Sequence, residues 1–344
     1  MRSAMIVLGL VGVLSLVSLS TPTQAETPAA PLPALGASPS QISVSGLSSG
    51  AFMAVQYDVA FSASTVGAGI VAGGPYNCVF VNIGGIGACM AAMPLPPSGM
   101  ASVAAAEGFA DLGEIDPISH LASQKFYLFS GKNDTVVKQS VMNAVDTFYL
   151  DAGVPASRIK YVKTFPAGHA FIAPDFGNLC GTNDTPYVDR CESHGTPYDQ
   201  PGAILSQIYG PLQPKAATLS AQPVAFNQRE FASSASGMAD TGYVYIPASC
   251  DKRSAVKCAV HVVFHGCLQS AAKVGDDVYS KLGYNNWADS NHIIVLYPQV
   301  NASTIPFNPQ GCWDWFGYTG LDFQTQGGMQ MTAIHEMVQR LTSQ

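Results

Sequence analysis

The sequence predicts an α/β fold built on a mostly parallel sheet with helices on both faces. Three observations predict it. Short β-like runs alternate with helical patterns along much of the chain, an order that favours parallel strands joined by helical crossovers. A Gly-x-Ser-x-Gly pentapeptide, Gly46 to Gly50, lies where one such run meets a helical pattern. A second short signature, His265-Gly266, follows another apolar run much later in the chain.

The elements follow in order. Arg2, the apolar stretch Ala4–Val17 and the small-residue end Thr23-Gln24-Ala25 read as a secretory signal cleaved after Ala25, too short in its apolar part to be an anchor. Residues 26–40 are rich in Ala and Pro and read as a loose lead, with 41–344 as one catalytic domain. Gln41–Ser45 alternates like a strand and runs into a helical pattern from Ala51 to about Ala60. Val66–Ala72 is a buried strand, and the Gly- and Pro-rich stretch Gly73–Gly99 a loop region. Lys125–Ser130 is a strand ending in the turn Gly131–Asp134, and Val137–Ala152 is helical. Arg158–Phe165 is a strand followed by Pro166-Ala167-Gly168-His169, and Asn178–Gly202 is polar and turn-rich. Gly242–Pro247, Ala259–Phe264 and His292–Pro298 are strands, and Gly327–Leu341 is a closing amphipathic helix.

Composition narrows the function classes. Of 344 residues 47% are hydrophobic and 11% charged, which suits a large core and a rather apolar surface. The formal net charge of −7 and the lack of any Lys/Arg run argue against a nucleic-acid partner. No stretch after the leader is long and apolar enough for stable membrane insertion, and the chain is expected to be a secreted monomer. The cysteines, Cys78, Cys89, Cys180, Cys191, Cys250, Cys258, Cys267 and Cys312, are even in number behind a secretory signal, which points to disulfides. Sequence alone does not choose among their pairings. Short loops favour Cys78–Cys89, Cys180–Cys191 and Cys250–Cys258, leaving Cys267–Cys312. None has the Cys-x-x-Cys spacing of a zinc site, so no metal is expected.

Gly46-Leu47-Ser48-Ser49-Gly50 matches a nucleophile elbow, a sharp strand-to-helix turn that thrusts a serine out of the sheet. A serine hydroxyl needs a base, and the base an orienting carboxylate. In α/β hydrolases these come in the order serine, acid, histidine, each on a loop after a strand. Asp134 follows the Lys125–Ser130 strand and His169 the Arg158–Phe165 strand. Asp175 and Asp116 are reserve acids; His120, His194 and His335 are more poorly placed. Asp134 also reads as an ordinary turn former, and His169 as a loop histidine.

An oxyanion hole needs two backbone N–H groups. Ser49, after the nucleophile, supplies one; the other usually comes from a His-Gly loop after an earlier strand. Here Phe264-His265-Gly266-Cys267 lies after the triad instead. A sheet closes around its pieces whatever their chain order, so the sequence predicts a circularly permuted α/β hydrolase. Cys267 then donates the second N–H, and the Ala259–Phe264 strand lies close to the elbow strand.

Three blocks together, Gly46-Leu47-Ser48-Ser49-Gly50-Ala51, Phe264-His265-Gly266-Cys267 and Gly311-Cys312-Trp313-Asp314-Trp315-Phe316, resemble poly(3-hydroxybutyrate) depolymerases of the single-domain type with a permuted catalytic domain. The resemblance implies Ser48, Asp134 and His169 as triad, Ser49 and Cys267 as oxyanion hole, a polyester or oligoester substrate and no cofactor. It implies a crevice-lining aromatic at Trp313, with Trp315 the close alternative; the same cluster also reads as core packing. The sequence shows no separate polymer-binding domain and linker of the kind many family members carry. Another secreted esterase with the same machinery, such as a feruloyl or acetyl-xylan esterase, is the rival reading, and a non-catalytic binding protein on this fold a more distant one. Asn133-Asp134-Thr135, Asn183-Asp184-Thr185 and Asn301-Ala302-Ser303 have the form of glycosylation sequons.

Overall fold

The computed structural model describes residues 29–252 and 256–344. The leader expected at 1–25 lies outside the described residues. Among these the main sheet has eight strands. They are β1 (Ile42–Leu47), β2 (Thr65–Val71), β3 (Lys125–Phe129), β4 (Ile159–Val162), β5 (Val224–Asn227), β6 (Thr241–Tyr245), β7 (Ala259–Phe264) and β8 (Ile293–Tyr297). Across the sheet they run β5-β6-β8-β7-β1-β2-β3-β4. The pairs from β8 to β4 are all parallel; only the β5–β6 and β6–β8 pairs are antiparallel.

The permuted order is visible in this topology. β1 pairs with β7 in parallel, Ser43 opposite His261 and Gly46 opposite Phe264. If counting starts at β5 and passes through the C-terminus into β1, the strands read 1-2-4-3-5-6-7-8 across the sheet. The elbow strand thus occupies the middle of one continuous sheet.

Why these residues make this sheet follows from alternation. Strand side chains point to opposite faces in turn. Ile42 and Val44 of β1 and Val260, Val262 and Phe264 of β7 enter one apolar core. That core is shared with the helices α1 (Ser49–Ala60), α2 (Gly99–Asp111), α3 (Gln139–Asp151) and, at the C-terminus, Met329–Thr342. Leu47, Val71 and Val263 enter a second core on the other face, under α4 (Gln200–Tyr209) and α5 (Tyr284–Asn291). The C-terminal helix is α6. Helices therefore cover both faces, and a mostly parallel sheet is buried between them.

On the α4/α5 side the elbow strand is polar. Ser43 Oγ bonds His261 Nδ1 (2.6 Å) and Tyr209 Oη (2.6 Å); Ser45 Oγ bonds His261 Nε2 (2.8 Å) and Tyr284 Oη (2.8 Å). Both imidazole nitrogens have partners, which a fully buried ring needs. Burial pushes His261 down to about 3, so the ring is neutral.

Several expectations are corrected. The described part of the lead, residues 29–40, is not loose. Leu32 and Ala37 are buried, Leu35 and Ala37 donate to the Leu341 carbonyl (3.3 and 3.1 Å), and Gly36 donates to that of Ser343 (2.7 Å). Residues 35–37 thus meet the end of α6, so the described part of the lead bridges α6 to β1. Gly73–Gly99 is not plain loop. It holds two short helices, Cys78–Val81 and Ile86–Ala91, stapled by the Cys78–Cys89 disulfide. α2 and α5 went unread; α2 is nearly all small residues and carries little periodic signal. The remaining disulfides are Cys180–Cys191, Cys250–Cys258 and Cys267–Cys312, the pairing that loop length favoured, and no described cysteine is free. No helix among the described residues is long and apolar enough to cross a membrane.

A docked lead has a measurable consequence. Leu32→Ala should destabilise the protein by about 2–5 kcal/mol, the usual cost of emptying a buried leucine site. Chemical denaturation of the purified variant checks this; a loose lead would leave the midpoint unchanged.

Candidate active site

The parallel strands deliver their loops to one edge. Ser48 N donates to Val71 O, Ala72 N to Phe129 O and Ser130 N to Val162 O, each at 3.0 Å. This staircase extends the sheet past β1, β2, β3 and β4 and levels the loops that follow. Functional groups in open α/β sheets gather at this carboxyl edge.

Ser48 sits at the β1–α1 junction with φ 57° and ψ −122°, a region that costs a non-glycine residue on the order of 1–3 kcal/mol. Its backbone is held there. Its N–H donates to Val71, and its carbonyl accepts from Ala51 (2.9 Å) and Phe52 (3.0 Å). Glycine is required on both sides. A Cβ on Gly46 would run into the Gly50 carbonyl, and one on Gly50 into the Phe264 and His265 carbonyls of β7. The pentapeptide glycines thus answer to a steric demand made partly by a strand more than 200 residues away.

Asp134 and His169 meet directly. His169 Nδ1 lies 2.8 Å from Asp134 Oδ2, and both side chains are buried. Asp134 Oδ1 accepts from the N–H groups of Val136 (2.8 Å) and Val137 (2.9 Å), so the carboxylate is aimed by its own turn. Asp134 accepts and does not donate when ionised, so Nδ1 carries the proton and Nε2 is left with its lone pair. His169's side chain makes no hydrogen bond to Ser48 Oγ, and Ser48 as a residue is only 9% exposed. Catalytic hydrogen bonds of this kind are often long before a substrate draws the groups together.

Cys267 lies beside the serine. It shares a crevice of about 240 Å³ with Ser48, and a Cβ on the preceding Gly266 would come within 3.5 Å of Ser48 Cβ. Among the described residues, the N–H groups of Ser49 and Cys267 donate to no backbone carbonyl. The loop is rigidly held. Gly266 N donates to Gln269 Oε1 (2.7 Å), and the Cys267–Cys312 disulfide ties it to the tryptophan block. His265 is the second anchor. Val300 N donates to its Nε2 (3.1 Å), which fixes the proton on Nδ1, and Nδ1 donates to Gly266 O (2.7 Å). Gly266 O and Cys267 N–H belong to one planar trans peptide. Holding the oxygen therefore aims the N–H.

The crevice is apolar. Phe52, Ile86, Met90, Val137, Trp315 and Phe316 line it, and Phe307 stands at its rim, 73% exposed. Trp315 stacks on Phe52 at 4.3 Å. Trp313 corrects the sequence reading. It is fully buried, packs edge-on against Phe264 at 5.1 Å, and belongs to the core behind the elbow. Its backbone N–H donates to Ser49 Oγ (3.3 Å), so its part is to back the elbow. The chain bends at Asp314 and Trp315, so side chains two residues apart leave the backbone toward different surroundings. Gln269, Phe52, Met90 and Phe307 were not foreseen, since nothing in their local sequence marks them. His335 lies elsewhere, stacked on Phe61 at 3.9 Å. No cluster of His, Cys, Asp and Glu among the described residues could hold a metal.

Comparison with known proteins gives consistent relatives. No family model matches the chain. A poly(3-hydroxybutyrate) depolymerase of Delftia acidovorans is 42% identical over 319 residues, covering 91% of this chain and 62% of the relative. A polyhydroxybutyrate depolymerase of Talaromyces funiculosus is 37% identical over 339 residues, covering 93% of this chain and 94% of the relative. The chain thus spans less than two thirds of the first relative and nearly all of the second. Among solved structures, the crystal structure of PHB depolymerase from Penicillium funiculosum superposes with a TM-score of 0.82 at 36% identity, covering 91% of this chain and 100% of that one. A serine-to-alanine variant of a PHB depolymerase, complexed with an R3HB trimer, matches with the same figures.

The buried His265 predicts a pH effect. Burial pushes its imidazole down to about 4 from an ordinary 6.5. The unfolded chain takes the proton first, so this ring's contribution is intact above pH 6.5 and is lost as pH falls toward 4, at most about 3 kcal/mol in all. Melting curves from pH ~7 to ~4 should therefore fall more steeply for the native protein than for His265→Gln. Parallel curves would show that His265 is not held neutral.

Proposed function

The chain belongs to the poly(3-hydroxybutyrate) depolymerase family, and from that premise we propose that it hydrolyses poly(3-hydroxybutyrate) or its oligomers through an acyl-serine intermediate. Ser48 Oγ attacks an ester carbonyl while His169 Nε2 takes its proton, with Asp134 holding the imidazole tautomer. The N–H groups of Ser49 and Cys267 receive the charge that develops on the carbonyl oxygen. His169 then returns the proton to the leaving alkoxide, and water repeats the sequence on the acyl-enzyme.

The observation that carries this reading is the crevice itself. Ser48 and Cys267 open onto one apolar cleft with Trp315, Phe52 and Phe307. A polyester of short, uncharged, methyl-branched units suits such a lining. Binding energy from neighbouring units, rather than from a long alkyl tail, would then lower the barrier at the cleaved ester. The similar PHB depolymerase complexed with an R3HB trimer supports the same substrate class. In this proposal residues 1–25 export the chain, 41–344 act as one catalytic domain, and the enzyme works outside the cytoplasm, where four disulfides persist.

Clearing of a polyhydroxybutyrate suspension, beside a panel of soluble esters, tests the proposal. 3-Hydroxybutyrate trimer should be cleaved with higher kcat/KM than short acyl esters, feruloyl esters or acetylated sugars. Preference for a sugar ester with no release of 3-hydroxybutyrate would sink it. Folded Ser48→Ala and His169→Ala should each lose about four to six orders of magnitude in kcat, and Asp134→Asn somewhat less. Near-normal turnover by Ser48→Ala would remove the mechanism.

The two tryptophans should separate by readout. Trp315→Ala should weaken trimer cleavage more than cleavage of a small aryl acetate while leaving stability nearly intact. Trp313→Phe should chiefly lower the melting temperature. A reversed pattern would return Trp313 to the crevice.

A further inference from the structure

The sequence marks Asn178–Gly202 as polar and turn-rich. The Cys180–Cys191 disulfide closes part of it, and from this part Asn183 and Asp189 reach the loops that carry Asp134 and His169. Asn183 is at the centre. Its Oδ1 accepts from His169 N (2.8 Å) and from Thr135 N (3.0 Å). Its Nδ2 donates to Asn133 O (3.0 Å) and Gly181 O (3.3 Å). A primary amide offers two acceptor sites and two donors, and all four are used. Three of the four bonds reach the acid and base loops. They grip the carbonyl of the residue before Asp134, the N–H of the residue after it, and the N–H of His169 itself.

Neighbouring bonds give this grip a rigid base. Asp189 Oδ2 accepts from Gly168 N (3.3 Å) and Gly181 N (3.0 Å), linking the residue before His169 to the insert. Gln269 Nε2 donates to Pro186 O (2.7 Å) and Tyr187 O (3.0 Å), while its Oε1 holds Gly266. The insert therefore also touches the Cys267 loop. The Tyr187 ring stands edge-on to His169 at 6.2 Å.

We propose that Asn183 is a positioning residue that fixes the separation of Asp134 and His169 through their backbones, with the disulfide-closed insert as its mount. This rests on the reading of Asp134 and His169 as acid and base. Asn183 touches no reacting atom. It acts because the Asp134–His169 hydrogen bond spans two loops from β3 and β4, and the strand ladder stops before either residue. Small misplacements of a catalytic group cost large factors in rate. The assignment also answers the sequon Asn183-Asp184-Thr185. A glycan on Nδ2 would displace the bonds to Asn133 and Gly181, so this asparagine serves the site unmodified.

The test compares Asn183→Ala and Asn183→Asp with the native enzyme on a soluble ester, with folding checked by circular dichroism. Asn183→Ala should lower kcat about 10- to 100-fold with KM within about two-fold. The far-downfield proton resonance of His169 Nδ1–H should broaden or vanish. Asn183→Asp keeps the acceptor for the His169 and Thr135 N–H groups, and should retain more of kcat and of that resonance. A folded Asn183→Ala with native kcat and resonance overturns the proposal. If the alanine variant does not fold, native kcat and resonance in Asn183→Asp, which lacks the Nδ2 donors, and in Asn183→Ser together overturn it. Ser48→Ala separates the two readings: activity there refutes the triad, whereas an inactive Ser48→Ala beside an unaffected Asn183→Ala refutes only the clamp.

Discussion

The site depends on the parallel pairing of β1 with β7. That pairing joins the start of the described chain to its last third, and through it Ser48 and Cys267 come to face one cleft. Both strands are buried on their two faces, so a slip of one residue would turn Val44 and Val262 to the polar side. The Ser43–His261–Ser45 bridge penalises the same slip. It leaves buried hydroxyls and a buried imidazole satisfied in only one register. Apolar burial supplies the drive to pair, and the polar bridge supplies the register.

Around this seam the molecule tolerates local strain. Ser48 is held at positive φ by three backbone bonds, and the close approach of Gly46, Gly50 and Phe264 leaves it no room to relax. Strain persists where the surroundings over-determine it. The Cys267 loop is held likewise. His265 and the Cys267–Cys312 disulfide hold the Gly266–Cys267 peptide and Gln269 the peptide before it, so the N–H proposed for the oxyanion is preset.

The acid and base rest on a different kind of support. β4 is only four residues long at the sheet edge, and the ladder of the main sheet ends with it. The Asp134 turn and the His169 loop instead hold each other, Asn133 N to Ala167 O and Lys132 N to Phe165 O, with the disulfide-closed insert behind them. A rigid sheet carries Ser48 and the Cys267 loop, while crosslinked loops carry Asp134 and His169. The proposed mechanism suits this division: attack demands one fixed geometry, whereas the imidazole shifts between the serine and the leaving group.

By itself the sequence determined whatever depends on neighbours along the chain. Alternation and apolar runs marked β1, β2, β3, β6, β7 and β8 to within a few residues. The Gly-Leu-Ser-Ser-Gly turn marked the elbow. The loops after two strands gave Asp134 and His169 in an order that the Asp134–His169 hydrogen bond suits. Chain order even announced the permutation, because His265-Gly266 came after the elbow instead of before it. Tertiary structure decided the rest. Which of two tryptophans, two residues apart, faces the crevice depends on Phe264 and Phe52, strangers in sequence. The described part of the lead, residues 29–40, is held by partners far along the chain, Asn227, Cys258 and the end of α6. Asn183, Gln269 and Phe307 carry no local mark, since a polar side chain or exposed aromatic acquires its part from partners that folding alone brings within reach.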